Sequence, residues 1–190
     1  MINSPFEGKL VRLTALDEKD AEIESRWMHD ADTVHGLGES VPRVLAPFHV
    51  KKKHEASLKQ INERSLFEFG VRTCAENKLV GYARLQWIEW NNGAAAPGLG
   101  IGLPEDRGHG YGTDAIALLV RYAFRELNLH RLRMNIRGDN ARGVRFLERA
   151  GFQQEARLRE AIRRGDSYCD QLIFSLLRTD WEQQQRGAGQ

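Results

Sequence analysis

Two cysteines, Cys74 and Cys169, are all that this chain of 190 residues carries, too few and too scattered for a disulfide framework or a metal site. Long apolar runs are missing as well. None could span a bilayer, and the N-terminus lacks the apolar core of a signal peptide, so the default location is cytoplasmic. Neither sign of charge prevails: 28 Lys and Arg stand against 26 Asp and Glu, and nothing calls for a nucleic-acid or membrane partner. Basic residues do gather at Lys51-Lys52-Lys53 and from Arg157 to Arg164. Solvated faces account for them before a patch for an acidic partner does. The phosphate-loop pattern Gly-x-x-x-x-Gly-Lys-Ser/Thr is absent, and so is Gly-x-Gly-x-x-Gly. No internal repeat or second domain is visible.

What is present is an ordinary globular composition, 41% apolar and 28% charged. It suits a single domain over residues 1–182, with 183–190 read as a disordered tail of glutamines and glycines. The chain is organised around Gly98 to Thr113. Leu99, Ile101 and Leu103 alternate with Gly98, Gly100 and Gly102, so a strand over 98–103 has one apolar face and one bare face that something can approach closely. Pro104 ends that strand. Glycines at 108, 110 and 112 then allow dihedrals that turn several amide N–H groups toward one point, and a helix opens at about Thr113-Asp114. The unpaired donors and positive dipole end of that helix complete a receptor for an anion, best a phosphate.

In chain order, Lys9–Thr14 alternates as a strand, and Asp17 caps a helix from about Glu18 to His29. Trp27 on that helix reads as core before it reads as a substrate contact. The stretch 35–48 is the least regular of the chain and suits the lining of a substrate cleft. A basic helix over His49–Arg64 repeats Val50, His54, Leu58 and Ile61 at helical spacing. Strands over Leu66–Cys74 and Leu79–Trp90 are joined by a short hairpin, and 91–97 reads as the next turn. After the organising stretch, helix 114–127 places Ile116, Leu119, Val120, Ala123, Phe124 and Leu127 on one stripe. Arg131–Arg137 alternates as a strand. Asp139 or Asn140 then caps a helix that Gly151-Phe152 stops, and two strands over Ala156–Leu177 fold across Arg164-Gly165-Asp166.

Leu10-Val-Arg-Leu, Trp27-Met-His-Asp-Ala-Asp-Thr-Val, Arg107 to Thr113, Asp139-Asn-Ala-Arg, Ala150-Gly-Phe and Arg157-Leu-Arg-Glu-Ala occur in a telling order. Over residues 7 to 181 the chain resembles the GNAT N-acetyltransferases, in particular the branch with the ribosomal-protein N-terminal alanine acetyltransferases. The resemblance implies an α/β (α+β) fold: a mixed, mostly antiparallel, splayed sheet flanked by helices. It implies acetyl-CoA as co-substrate and no metal. Backbone groups near Ile101 and Leu103 would pair with the pantetheine arm. Arg107, Gly108, His109, Gly110, Tyr111, Gly112 and Thr113 would grip the pyrophosphate, and Asn140 would fix the thioester end. The implied partner is an amine, either a peptide N-terminus or a small molecule; a homodimer is left open.

The chemistry so implied is direct attack of an amine on the acetyl thioester, which needs oxyanion donors, a base for the amine and an acid for the sulfur. The sequence departs from the family at the acid. Leu147 stands where many members carry a tyrosine, and Gly143 where others of this branch use a serine. Tyr111 and Tyr168 are the remaining acid candidates. Glu89 could serve as base through a water, and a surface glutamate is an equal reading. Two further readings stay open: an acyl-CoA-binding sensor without turnover, and a longer acyl donor admitted by the small residue Gly102.

Overall fold

The computed structural model describes residues 4–29 and 44–187. Most of the irregular stretch 35–48 therefore lies outside the described residues. Seven strands and five α-helices are present among those described, in two compact units: 1–87 with 98–122, and 88–97 with 123–190.

The first unit holds β1 (Val11–Thr14), α1 (Asp20–Trp27), α2 (Pro47–Asn62), β2 (Phe67–Thr73), most of β3 (Leu79–Glu89), the end of β4 (Ala94–Ile101) and most of α3 (Tyr111–Arg125). Its strands lie in the order β1-β2-β3-β4. β1 and β2 are antiparallel, Val11 opposite Thr73, and β2 and β3 are antiparallel with Glu68 opposite Arg84 and Gly70 opposite Tyr82. Alternation explains the burial: Val11, Leu13, Val71, Ala83 and Leu85 point into the core. On α3, Ala115, Ile116, Leu118, Leu119 and Val120 are buried as well. Phe6, Phe67, Phe69 and Tyr122 form an aromatic cluster with ring centroids 5.3–5.8 Å apart.

The N-cap of α1 is Lys19, not the expected Asp17, which stands two residues ahead of it: Asp17 Oδ1 accepts the backbone N–H groups of Lys19 and Asp20 at 2.7 and 3.2 Å, while Asp20 Oδ2 accepts from the N–H of Asp17 at 2.8 Å. Asp20 is almost wholly buried and also receives Nη2 of Arg72 at 2.6 and 2.7 Å. On α2 only Val50 is buried, and Leu58 is exposed, so the helical spacing there overstates its apolar face.

The second unit holds the start of β4, β5 (Arg131–Arg137), α4 (Ala141–Arg149), β6 (Gln153–Arg164), β7 (Ser167–Leu177) and α5 (Arg178–Gly187), with strand order β4-β5-β7-β6. β4 and β5 are parallel at Ala94–Arg131 and Ala95–Leu132; β5–β7 and β7–β6 are antiparallel. β4 thus begins inside the stretch expected to be a turn: Ala95 and Ala96 are buried, and the turn shrinks to 90–93, with the Gly93 carbonyl accepting from the N–H groups of His130 and Arg131. Asn140 caps α4, and Gly151 (φ +87°) ends it with Phe152 N–H donating to the Leu147 carbonyl at 3.0 Å. Residues 183–187, expected in a tail, continue α5, which is anchored by the buried Trp181 against Phe124 at 5.5 Å.

Candidate active site

Between β4 and α3 the chain makes a short 3-10 helix, Pro104–Asp106, and then the turn Arg107–Gly110. Lys78 Nζ pairs with Asp106 Oδ1 at 2.6 Å and pins the turn to the start of β3. Gly108 and Gly110 have φ of +87° and +84°, a conformation that other residues adopt at a cost. Gly112, by contrast, already belongs to α3, which opens at Tyr111, two residues before the sequence suggests. Its first amide N–H groups have no acceptor within the helix and lie at the positive end of its dipole.

The acid nearest this end, Asp114, is committed elsewhere. Its Oδ2 accepts the N–H groups of Leu10 and Val11 at 2.7 and 2.9 Å, so it secures β1. What remains is a strand end, two left-handed glycines and a helix N-terminus from which the Asp114 carboxylate is turned away, the kind of arrangement that favours an anion. His109 and Tyr111 stack beside it with centroids 5.6 Å apart. The Arg107 guanidinium, expected on the pyrophosphate, donates from Nη2 to the Gly102 carbonyl at 2.8 Å and from Nε to the Ile101 carbonyl at 3.3 Å. In this arrangement it braces the strand end. Ile101, Leu103 and residues 107–113 thus form one continuous stretch from the end of β4 to the start of α3.

The bare face of β4 is covered by this chain's own side chains. A Cβ on Gly102 would fall 2.2–2.4 Å from the Trp27 indole, and one on Gly98 would meet Arg84 at 3.0 Å. Trp27 is 1% exposed and packs with Leu79, Ile23, Met28, Tyr82 and Leu103. The room at Gly102 that suggested a longer acyl chain is therefore filled by tryptophan.

Beside Trp27 lies a narrow cleft, lined also by Glu24, Met28, Lys53, Glu68, Tyr82 and Arg84. Glu24 Oε1 is buried 3.2 Å from His54 Nε2, off the angle of a hydrogen bond; neither atom has a hydrogen-bond partner among the described residues. Close pairing with the Glu24 carboxylate nevertheless raises the His54 pKa, against the opposing effect of burial. Arg84 lies over the Tyr82 ring, with Cζ 5.2 Å from its centroid, and its Nε is buried without a hydrogen-bond partner among the described residues. None of these residues except Trp27 stood out in the sequence as a substrate contact. The signal was there in part: Glu68, Tyr82 and Arg84 fall on one face by strand alternation and antiparallel register. Glu24, three residues before Trp27 on a helix, shares its face.

The other candidates lie in the second unit. Asn140 Oδ1 accepts the N–H of Gly143 at 2.9 Å. Leu147, at the tyrosine position, is 1% exposed. A Cβ on Gly143 would fall 2.2 Å from Ile136 Cδ1, so a side chain there requires the tip of Ile136 to move. Glu89 is exposed and accepts from Asn92 Nδ2 at 2.7 Å, and Tyr168 is exposed near the tip of the β6–β7 hairpin. On the same hairpin a shallow hollow is lined by Arg157, Arg159 and Asp170, but both Asp170 oxygens are already taken, by Arg157 and by the N–H of Glu160. No group of His, Cys, Asp or Glu suited to a metal ion occurs among the described residues, and no helix is long and apolar enough to cross a membrane.

Comparison with known proteins is consistent with this geometry. The family model for the acetyltransferase (GNAT) domain matches residues 11–153. The probable N-acetyltransferase YjcK of Bacillus subtilis (strain 168) is 33% identical over 120 residues, 62% of this chain and 65% of that protein. The ribosomal protein uS5 alanine N-acetyltransferase of Escherichia coli (strain K12) is 27% identical over 132 residues, 67% and 68% of the two chains. Among solved structures, the spermidine N-acetyltransferase of Vibrio cholerae in complex with CoA and spermine superposes with a TM-score of 0.78 at 23% identity, over 90% of this chain and 98% of that one.

Proposed function

The chain belongs to the GNAT acetyltransferase family, and from that premise we propose that it transfers an acetyl group from acetyl-CoA to a primary amine by direct attack. The observation that carries this reading is the turn at Gly108 and Gly110 leading into the N-terminus of α3, with Asp114 turned away onto β1. Those amides would hold the diphosphate, and the β4 backbone at Ile101 to Leu103 would run beside the pantetheine arm. Bound there, the thioester supplies an electrophilic carbonyl. The neutral amine nitrogen forms a bond to that carbon and the carbon–sulfur bond breaks; the thiolate departs, and the nitrogen loses one proton, which balances the thiolate as free thiol.

The missing acid does not preclude turnover. A thiol with a pKa of about 8.5 is a tolerable leaving group, and an α-amine at about 7.7–8.0 is roughly one-quarter neutral at about pH 7.4. A lysine amine at about 10.4 is neutral only about once in a thousand molecules there. A site without a strong base and with good positioning thus favours an acceptor of low pKa. Leu147 and Gly143 motivate the rival reading, a protein that binds acyl-CoA without turnover. A thiol-reactive dye with acetyl-CoA and a panel of N-terminal peptides, polyamines and aminoglycosides separates the two. CoA release that depends on one amine class is the expected result; tight binding with no release across the panel contradicts it.

A further inference from the structure

Taking the acetyl-transfer reading as its basis, we infer that the segment Ser4–Val11 serves the coenzyme site: Asp114 and Arg121 strap it along α3, and it holds the turn at Gly110 in the form that binds the diphosphate. Both side chains act through the strap, as positioning residues. They stand seven residues apart, about two helical turns, and so share one face of α3. Asp114 Oδ2 accepts the N–H groups of Leu10 and Val11 at 2.7 and 2.9 Å. Arg121 Nη2 reaches the carbonyls of Ser4, Pro5 and Glu7 at 3.2, 3.0 and 3.1 Å. A carboxylate only accepts and a guanidinium only donates, so the pair fixes the register of the segment on the helix. Phe6, flanked by the carbonyls that Arg121 holds, sets its ring against Phe69 and Tyr122 at 5.6 and 5.3 Å. Gly8 lets the carboxylate come close: a Cβ there would fall 2.8 Å from Asp114 Cγ.

The strap meets the coenzyme turn at two points. Leu10 stands against Gly110, where an added Cβ would lie 3.0 Å from Leu10 Cδ1. The backbone N–H of Asp114 donates to the Gly110 carbonyl at 3.0 Å, the bond that opens α3. One residue thus holds β1 with its side chain and the turn with its main chain. Gly110 is left-handed, and a free glycine has many other conformations open to it; the strap excludes them. Its release would also free a competing anion. A carboxylate in the first turn of a helix is drawn to the unpaired N–H groups there, and those are the groups assigned to the diphosphate. By occupying Asp114, the strap keeps the chain's own negative charge out of that place.

The test is calorimetric titration of CoA into the wild-type protein and strap variants, each at a temperature where circular dichroism shows it folded. Asp114→Ala separates two effects of opposite sign. Were the carboxylate only a charge near the diphosphate, its removal would tighten CoA binding. As the anchor of the strap, its loss should weaken binding about tenfold, the factor for a turn that keeps its binding form about one-tenth of the time. Asp114→Asn, which retains an oxygen for both N–H groups, should recover most of that loss. Gly8→Ala displaces the carboxylate without altering residues 107–113 and should weaken binding by a similar factor; Arg121→Lys, which loses the guanidinium's reach to three carbonyls, should do so by less. If Asp114→Ala fails to fold, these two variants decide. A merely structural role would lower urea midpoints and leave the CoA affinity of the folded variants alone. Folded variants that bind CoA as tightly as the wild type, or more tightly, overturn the inference alone. A folded wild-type protein that binds no CoA overturns the acetyl-transfer reading beneath it.

Discussion

Gly102 and Trp27 are shaped to each other: the indole Cε2 lies 2.2 Å from where a Cβ on residue 102 would be. The smallest residue is required there because the largest one is its neighbour. Gly102→Ala should overpack this contact and destabilise the protein by about 1–3 kcal/mol. A urea titration reads it as a lower midpoint at unchanged slope. An unchanged midpoint would mean that Trp27 moves aside freely, and room for a longer acyl chain would return to consideration.

The ion pair of Arg72 with the buried Asp20 makes a second prediction. Arg72→Met removes one partner, strands a carboxylate that is 2% exposed and takes the donor from Thr14 Oγ1. A loss of about 3–5 kcal/mol is expected, and Asp20→Asn in the same chain should recover part of it. Additive losses in the double variant would contradict the coupling.

His54 gives stability a pH dependence. Pairing with Glu24 on α1 raises its pKa first, burial opposes, Glu68 on β2 adds to the rise and Lys53 on its own helix subtracts. Because the folded value exceeds the unfolded one, the contribution is fully present below about pH 6.5 and is lost as pH rises through the folded value. Unfolding midpoints measured from mildly acidic to mildly alkaline pH should fall more steeply for the wild-type protein than for His54→Gln. Parallel curves would remove the pair from the explanation.

Asn140 caps α4, whatever else it does. Asn140→Ala should cost about 0.5–2 kcal/mol, and Asn140→Asp should restore most of it, since an aspartate oxygen accepts the Gly143 N–H equally well. If CoA affinity follows stability in both variants, the cap is its whole role; a loss of affinity in the aspartate variant marks a second one.

Much of this was legible from residue pattern. The alternation of Leu132, Met134 and Ile136 fixes β5 to its ends, and Asn140 with Gly151-Phe152 brackets α4. Local signals of that kind are written within a few residues. The occupant of the bare face on β4 was not legible, because Trp27 reaches Gly102 from 75 positions earlier by tertiary packing. The bonds from Arg107 to the carbonyls of Ile101 and Gly102 were not legible for a similar reason: a guanidinium beside a phosphate motif has the same spelling as one that braces carbonyls. Glu24, His54 and Arg84 converge from two helices and a strand, and no linear spacing joins them.

Binding of CoA to the wild-type protein and to Gly108→Ala bears most directly on the coenzyme turn. Gly108 has φ +87° and nothing within 4 Å of an added Cβ, so the substitution strains the turn without striking a neighbour. Calorimetry should show CoA binding to the wild-type protein and about tenfold weaker binding to the variant, whose free turn relaxes out of the left-handed conformation and must be driven back to it on binding. A folded wild-type protein that gives no heat with millimolar CoA, or a variant that binds as tightly as its parent, would contradict the assignment of these amides to a diphosphate.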